Sequence, residues 1–264
     1  MAKHLLDELA RPGPHQVLRG DLALVGLPGL VFTPSAGLGL PAVAFGHGWL
    51  QPPLRYRGLL RHLASWGIVV AVPGTHLGPF GSHRLLAADL RTALDVCVGV
   101  RLGEGAISVD PERLGVAGHS TGGGSAVLAA AADSRVRAVA TLAVAQTRPL
   151  ASEAAARCSM PSLHVLAGQD LVAPAGAHGD LIARAWGGSA RVRTIEKASH
   201  LGFVEGRHWS DLLVAGRGEH ATQRVARALL TAFFLGELGG DGKYLGFLDE
   251  NVKGVEVGFE KVAA

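Results

Sequence analysis

Short apolar runs alternate with longer stretches of helical period along this chain. Residues 42–45, 67–72, 114–117, 138–144 and 163–167 are apolar and bounded by Gly, Pro or polar residues, the mark of buried strands. A further short strand is expected at 190–195. Helical patterns fall at 55–65, 83–100, 120–132, 176–186 and 221–235. Such βαβα alternation predicts an α/β protein, a mostly parallel sheet with helices on both faces. Residues 16–32 alternate less cleanly and are expected to form antiparallel edge strands.

No repeat or low-complexity linker interrupts the 264 residues. One domain, 1–264, is expected, with its core at about 16–236. The tail, 239–264, is Gly-rich and charged, without clear helical period, and is expected to wrap the surface or be partly loose. The stretch from Val144 to Ser162 is too short for a substantial lid domain, so an open or shallow site is expected.

Composition narrows the function classes. Hydrophobic residues make up 48% and charged residues 18%, which is globular. The net charge of +3 is scattered, with no basic run or aromatic-interleaved stripe, which argues against nucleic acid. No apolar run approaches a bilayer span. The first nine residues are charged and lack the apolar stretch of a secretory signal, which points to a cytoplasmic location. Cys97 lies in an apolar helical pattern and Cys158 beside a strand. Two buried thiols are expected, with one disulfide as the alternative. The twelve histidines are dispersed without metal-ligand spacing, and no G-x-G-x-x-G follows the first strand. Neither a metal nor a cofactor is expected.

Gly118-His119-Ser120-Thr121-Gly122 matches G-x-S-x-G. About 0.25 such matches arise by chance in this composition, so the motif alone is weak. Its setting is specific: it follows the apolar strand 114–117 and precedes a helix of small residues. Strand, sharp turn and helix put a serine hydroxyl at the sheet edge in a strained conformation, with helical amides aimed at developing charge. A glycine-rich turn with a capping serine is the bland alternative. His119 fills the variable slot, as a packing residue that also borders the substrate rather than a catalyst.

A serine hydroxyl needs a base, and the base needs an orienting acid. Asp170 follows the strand 163–167 directly, on a strand-end loop; its rival Asp180 falls inside a predicted helix. His200 follows the strand 190–195 on another such loop. The spacings, 50 and 30 residues, each suit an intervening strand and helix. His208 and His220 do not follow a strand so closely, and His178 is expected to point elsewhere. Purely structural roles for Asp170 and His200 are the alternatives. A tetrahedral oxyanion needs two donors. The Thr121 amide, after the nucleophile, is one. The other is assigned to the Trp49 amide in Phe45-Gly46-His47-Gly48-Trp49, with Gly48 as the alternative one residue earlier. Gly48 and the Trp49 indole would wall the substrate.

Taken together, Val109-Asp110-Pro111-Glu112-Arg113 leading into Gly118–Gly124, Gly168-Gln169-Asp170-Leu171-Val172-Ala173-Pro174 and Ala198-Ser199-His200 resemble the cutinase and polyester-hydrolase branch of α/β-hydrolases, near the dienelactone-hydrolase and chlorophyllase-like groups. The resemblance covers most of the chain between Pro41 and Phe203. It implies a lidless, cofactor-free esterase with Ser120, Asp170 and His200 as its catalytic residues. Thr121 stands where such enzymes usually carry Met. Gln146 and Thr147 stand where an aromatic clamp is expected, making Gln146 a candidate substrate contact. The secretion signal and C-terminal cysteine pair of secreted members are missing. The expected function is hydrolysis of small or short-chain carboxylic esters through an acyl-enzyme. Activity is expected to fall as pH drops below the ordinary imidazole value of about 6.5. A thioester, amide or lactone hydrolase is the alternative, and a non-catalytic binding module on the same scaffold a further one.

Overall fold

The computed structural model describes residues 2–214 and 216–261. Among them, nine strands form one sheet: β1 (Val17–Asp21), β2 (Gly29–Pro34), β3 (Gly37–Gly46), β4 (Val69–Pro73), β5 (Ile107–His119), β6 (Val136–Leu142), β7 (Ser162–Ala167), β8 (Ala190–Ile195) and β9 (Val255–Lys261). Their order across the sheet is β1-β2-β4-β3-β5-β6-β7-β8-β9. The six strands from β4 to β8 run parallel, while β1, β2 and β9 are attached antiparallel. The helices are α1 (Ala2–Leu9), α2 (Arg57–Ser65), α3 (His83–Gly99), α4 (Thr121–Ala130), α5 (Ala151–Ala155), α6 (Gly179–Ala185), α7 (His220–Glu237) and α8 (Gly242–Leu248). No described helix is long and apolar enough to cross a membrane.

Period-two alternation sorts the strand side chains into two cores. Val43, Phe45, Val70 and Val72 face α1, α2, α7 and α8. Ala42, Ala44, Val69 and Ala71 face α3, α4, α5 and α6. Ser82 starts α3 by accepting the Leu85 N–H at its hydroxyl, which satisfies one of the unpaired amides of the first turn. Both cysteines are free and buried.

The parallel core strands and long helices lie where alternation and helical period place them. β5 is longer than its apolar run, extending back through Pro111, with an irregular register beside β3 and β6. The C-terminal stretch forms α8 and the edge strand β9. Val255, Val257 and Phe259 alternate with Glu256 and Glu260 there, a strand pattern hidden by its charge and glycine. Arg193 on β8, almost wholly buried, anchors this segment. Its guanidinium donates to the Leu248 carbonyl at 2.5 Å and to Asp249 Oδ1 and Glu260 Oε1 at 3.2 Å each. Those partners offset only part of the cost of burying the cation, and burial still pushes the Arg193 pKa below its ordinary value.

Candidate active site

The carboxyl ends of β5, β7 and β8 converge on one cleft. Between β5 and α4 the chain turns at Ser120, whose backbone adopts φ 55° and ψ −127°. A non-glycine residue in this region is strained and persists only where its surroundings hold it. Here the Ser120 N–H donates to the Leu142 carbonyl at 2.9 Å, and the Ser120 carbonyl accepts from Ala145 at 3.0 Å and Gly124 at 3.2 Å. The glycines around it permit contact of backbone with backbone. A Cβ at Gly122 would fall 2.2 Å from the Gly46 carbonyl oxygen, and one at Gly118 would fall 2.4 Å from the Gly122 carbonyl. The end of β3, the end of β5 and the first turn of α4 therefore touch without side chains between them.

Asp170 stands three residues beyond β7. Its Oδ1 accepts from the amides of Val172 at 2.9 Å and Ala173 at 2.8 Å, which aims Oδ2 at His200. His200 follows β8 on a short 3-10 turn. Its Nδ1 lies 2.8 Å from Asp170 Oδ2, and its Nε2 lies 2.8 Å from Ser120 Oγ. Because a carboxylate only accepts, Nδ1 carries the hydrogen and Nε2 presents its lone pair to the serine. Burial pushes the Asp170 carboxyl up. The His200 hydrogen bond and charge, then the Ala173 and Val172 amides, outweigh burial and hold it below the usual carboxylate value. Glu219 steadies the base loop from behind, accepting from the Ser199 hydroxyl at 2.6 Å and the Ser199 N–H at 3.2 Å.

Trp49 is 41% exposed, and its indole N–H donates to the Pro79 carbonyl at 3.0 Å. It divides two shallow hollows of about 30 and 20 Å3. One is bounded by Ser120, His200, Val172, Leu201 and Val214. The other is bounded by Thr121, His76, Ser82, His83 and Leu86. The Gly48 N–H is taken by the Tyr56 hydroxyl at 3.0 Å. His119 borders the hollow beside Ser120, but its ring is wholly buried with both nitrogens against protein partners, so it walls the cleft without a free polar atom. Gln146 borders neither hollow. Its side-chain oxygen accepts from the Ser152 N–H at 3.2 Å, which turns the amide toward α5.

His178 differs from its expected placement. It precedes α6 rather than lying within it, and its φ of −130° and ψ of −85° bring the ring back toward the site. There its Nδ1 accepts the Gln146 N–H at 3.0 Å, and the ring feels the charges of Asp170 and His200. Asp180 lies in α6, and His208 pairs with Ser210 Oγ at 2.8 Å, both away from the serine.

Sequence patterns gave no sign of a polar hub beside the cleft. Arg55, nearly buried, donates to Gln51 Oε1 at 2.9 Å, to the carbonyls of Glu205 at 3.0 Å and Gly206 at 3.1 Å, and to both oxygens of Asp211. Gln51 Nε2 donates to Ser210 Oγ at 3.0 Å. These bonds tie the loop after Trp49 to the segment that brings Val214 to the cleft. The available signal was Gln51 and Arg55 flanking Pro52-Pro53 just beyond the turn at Gly48.

A mostly parallel sheet with helices on both faces, and a serine on a strained strand-to-helix turn, define an α/β-hydrolase. Residues 15–202 match the PET hydrolase-like family, and the chain belongs to that family. No curated protein matches the chain.

Proposed function

We propose that the protein hydrolyses small or short-chain carboxylic esters through an acyl-enzyme on Ser120. The observation that carries this reading is the His200 ring, bonded at 2.8 Å to Ser120 Oγ on one side and at 2.8 Å to Asp170 Oδ2 on the other. Ser120 Oγ attacks the ester carbonyl as its proton passes to His200 Nε2. Asp170 stays ionised and stabilises the imidazolium that forms. The C–O bond to the alcohol then breaks, and the alcohol leaves with the proton from Nε2. Water repeats the sequence on the acyl group, losing its proton to Nε2, and releases the acid.

The negative oxygen of each tetrahedral intermediate is assigned to the amides of Trp49 and Thr121, each worth about 3 kcal/mol. Gly48 is the weaker candidate because its N–H already has a partner in Tyr56. The hollows beside Trp49 are shallow and small, which favours short esters over a bulky chain. A fluorophosphonate probe is expected to label Ser120 in the folded protein, with turnover of p-nitrophenyl acetate exceeding that of long-chain esters. Labelling elsewhere, or equal turnover by Ser120→Ala, would overturn the assignment.

A further inference from the structure

Behind Ser120 lie two buried polar side chains to which the proposed reaction gives no step, Tyr56 and His119. Both are fully enclosed, so their polar atoms need partners within the protein. Those partners come from separate segments. The Gly48 nitrogen is 3.0 Å from the Tyr56 hydroxyl oxygen, and that oxygen is 2.9 Å from His119 Nδ1. His119 Nε2 is 2.9 Å from the backbone oxygen of His200.

Chemistry sets the direction of each bond. A carbonyl oxygen only accepts, so His119 Nε2 carries a hydrogen. Burial, with the neighbouring His200 charge second, pushes the His119 pKa down to about 3, so the ring is neutral and Nδ1 is a lone pair. The Tyr56 hydroxyl, which burial keeps protonated, donates to that lone pair. Its oxygen in turn accepts the Gly48 N–H.

We propose that Tyr56 and His119 are positioning residues that lock the loop carrying the Trp49 amide to the backbone of His200. The inference rests on the reaction proposed above. The Gly48–Trp49 peptide is trans, so the Trp49 N–H points opposite the Gly48 carbonyl. That carbonyl accepts from the Gln51 N–H at 3.0 Å, and His47 Nδ1 lies 2.9 Å from it. With the Gly48 N–H held by Tyr56, both peptide planes flanking Gly48 are fixed, and the direction of the Trp49 amide with them. At the other end, His119 holds the backbone from which the His200 imidazole projects. Because His119 also precedes Ser120, one line of hydrogen bonds ties together the oxyanion loop, the nucleophile turn and the base. Gly48 leaves room for it: a Cβ there would come 2.9 Å from His119 Nδ1 and 3.2 Å from the Tyr56 oxygen.

Tyr56→Phe tests the idea by deleting one oxygen while keeping the ring against Phe45, whose centroid is 5.0 Å away. For p-nitrophenyl acetate, kcat is expected to fall about ten- to a hundredfold, the scale of a small misplacement of catalytic groups, with KM changed less than about twofold. His119→Gln is expected to fall similarly, and the double variant to fall no further than the worse single, since both break the same line. Wild-type kcat in Tyr56→Phe, or losses that multiply in the double variant, would overturn the proposal. A readout independent of turnover is the 15N spectrum of the histidines. His119 is expected to stay neutral with hydrogen on Nε2 between about pH 5 and 8. A ring that titrates there, or carries its hydrogen on Nδ1, would also overturn the proposal. A wild-type protein with neither ester turnover nor Ser120 labelling sinks the underlying reaction instead, while an active wild type with an unaffected Tyr56→Phe sinks only the positioning role.

Discussion

At the Ser120 turn, backbone presses on backbone; along residues 205–214, a set of side-chain bonds centred on Arg55 holds the chain in place. The first region joins Gly46, Gly118 and Gly122 with no room for a single carbon, and it fixes a strained residue by three main-chain hydrogen bonds. The second has the exposed apolar residues Trp209, Leu212 and Leu213 on its outside and is tied down by Arg55 through Glu205, Gly206 and Asp211. Close packing resists small displacements from every side. A set of side-chain bonds resists them only while the side chain is present. The nucleophile turn should therefore tolerate almost no change, and the 205–214 segment should loosen by degrees.

The largest effect is expected from Gly122→Ala. The added carbon overlaps the Gly46 and His47 carbonyl oxygens, and neither strand nor helix can retreat without moving the sheet. A loss of about 3 kcal/mol in denaturant unfolding is expected. A loss under about 1 kcal/mol would mean the turn is less rigid than its contacts imply.

Arg55→Ala comes next, at about 2 kcal/mol, because charge-assisted hydrogen bonds are lost and Asp211 keeps its charge without the partner. Its distinctive mark is a rise in KM for short esters as Val214 loosens at the cleft, with kcat less affected. Arg55→Lys should not rescue it, since an ammonium cannot reach Asp211, Gln51 and two carbonyls at once. Full rescue by lysine would show that charge alone holds the segment.

Acid separates the two regions. His119 beside the nucleophile and His164 below it on β7 are buried, and burial pushes each pKa from 6.5 down to about 3. Unfolding lets these rings take up protons that the folded state refuses. Stability should therefore fall as pH drops below about 6.5, by up to about 1.4 kcal/mol per pH unit for each ring. Asp211 behaves differently. Burial pushes its carboxyl up, but the Arg55 hydrogen bond, the His208 amide and the Arg55 charge outweigh that and hold it below 3.8. Its contribution is complete above that value and is lost only as pH falls through the lower folded value. In Arg55→Ala the upward push of burial on Asp211 is no longer opposed by the guanidinium, so unfolding curves measured between about pH 7 and 4 should converge on those of the wild type as acid neutralises that carboxyl. The smallest effect is expected from Phe80→Ser. That ring is 98% exposed, so stability should change by less than about 0.5 kcal/mol.

Much of this was legible in the chain. Val43 and Phe45 against Ala42 and Ala44 write a two-sided strand, and Ser120, Asp170 and His200 each follow such a strand closely. Local pattern fixes an element, and an element's end fixes a loop position. The polar supports were not legible, because their partners are remote in sequence. Tyr56 lies within a helical pattern and meets His119 63 residues later; Arg55 meets Asp211 156 residues later. His178 was misplaced because helix period does not reveal the bend that precedes α6. α5 and α8 are too short to display a period, and β9 was masked by glycine and charge.

Antiparallel β9 gives β8 a partner along its outer side, and the new edge strand carries the charged residues Glu256, Glu260 and Lys261. A chain cut before Gly242 would bare the polar rungs of an inner strand and strand the Arg193 cation without its anions. Uncovered rungs recruit matching ones from other molecules, whereas a short charged border repels them. Residues 242–261 thus serve as a hem against precipitation, and shortening them should cost solubility before it costs chemistry.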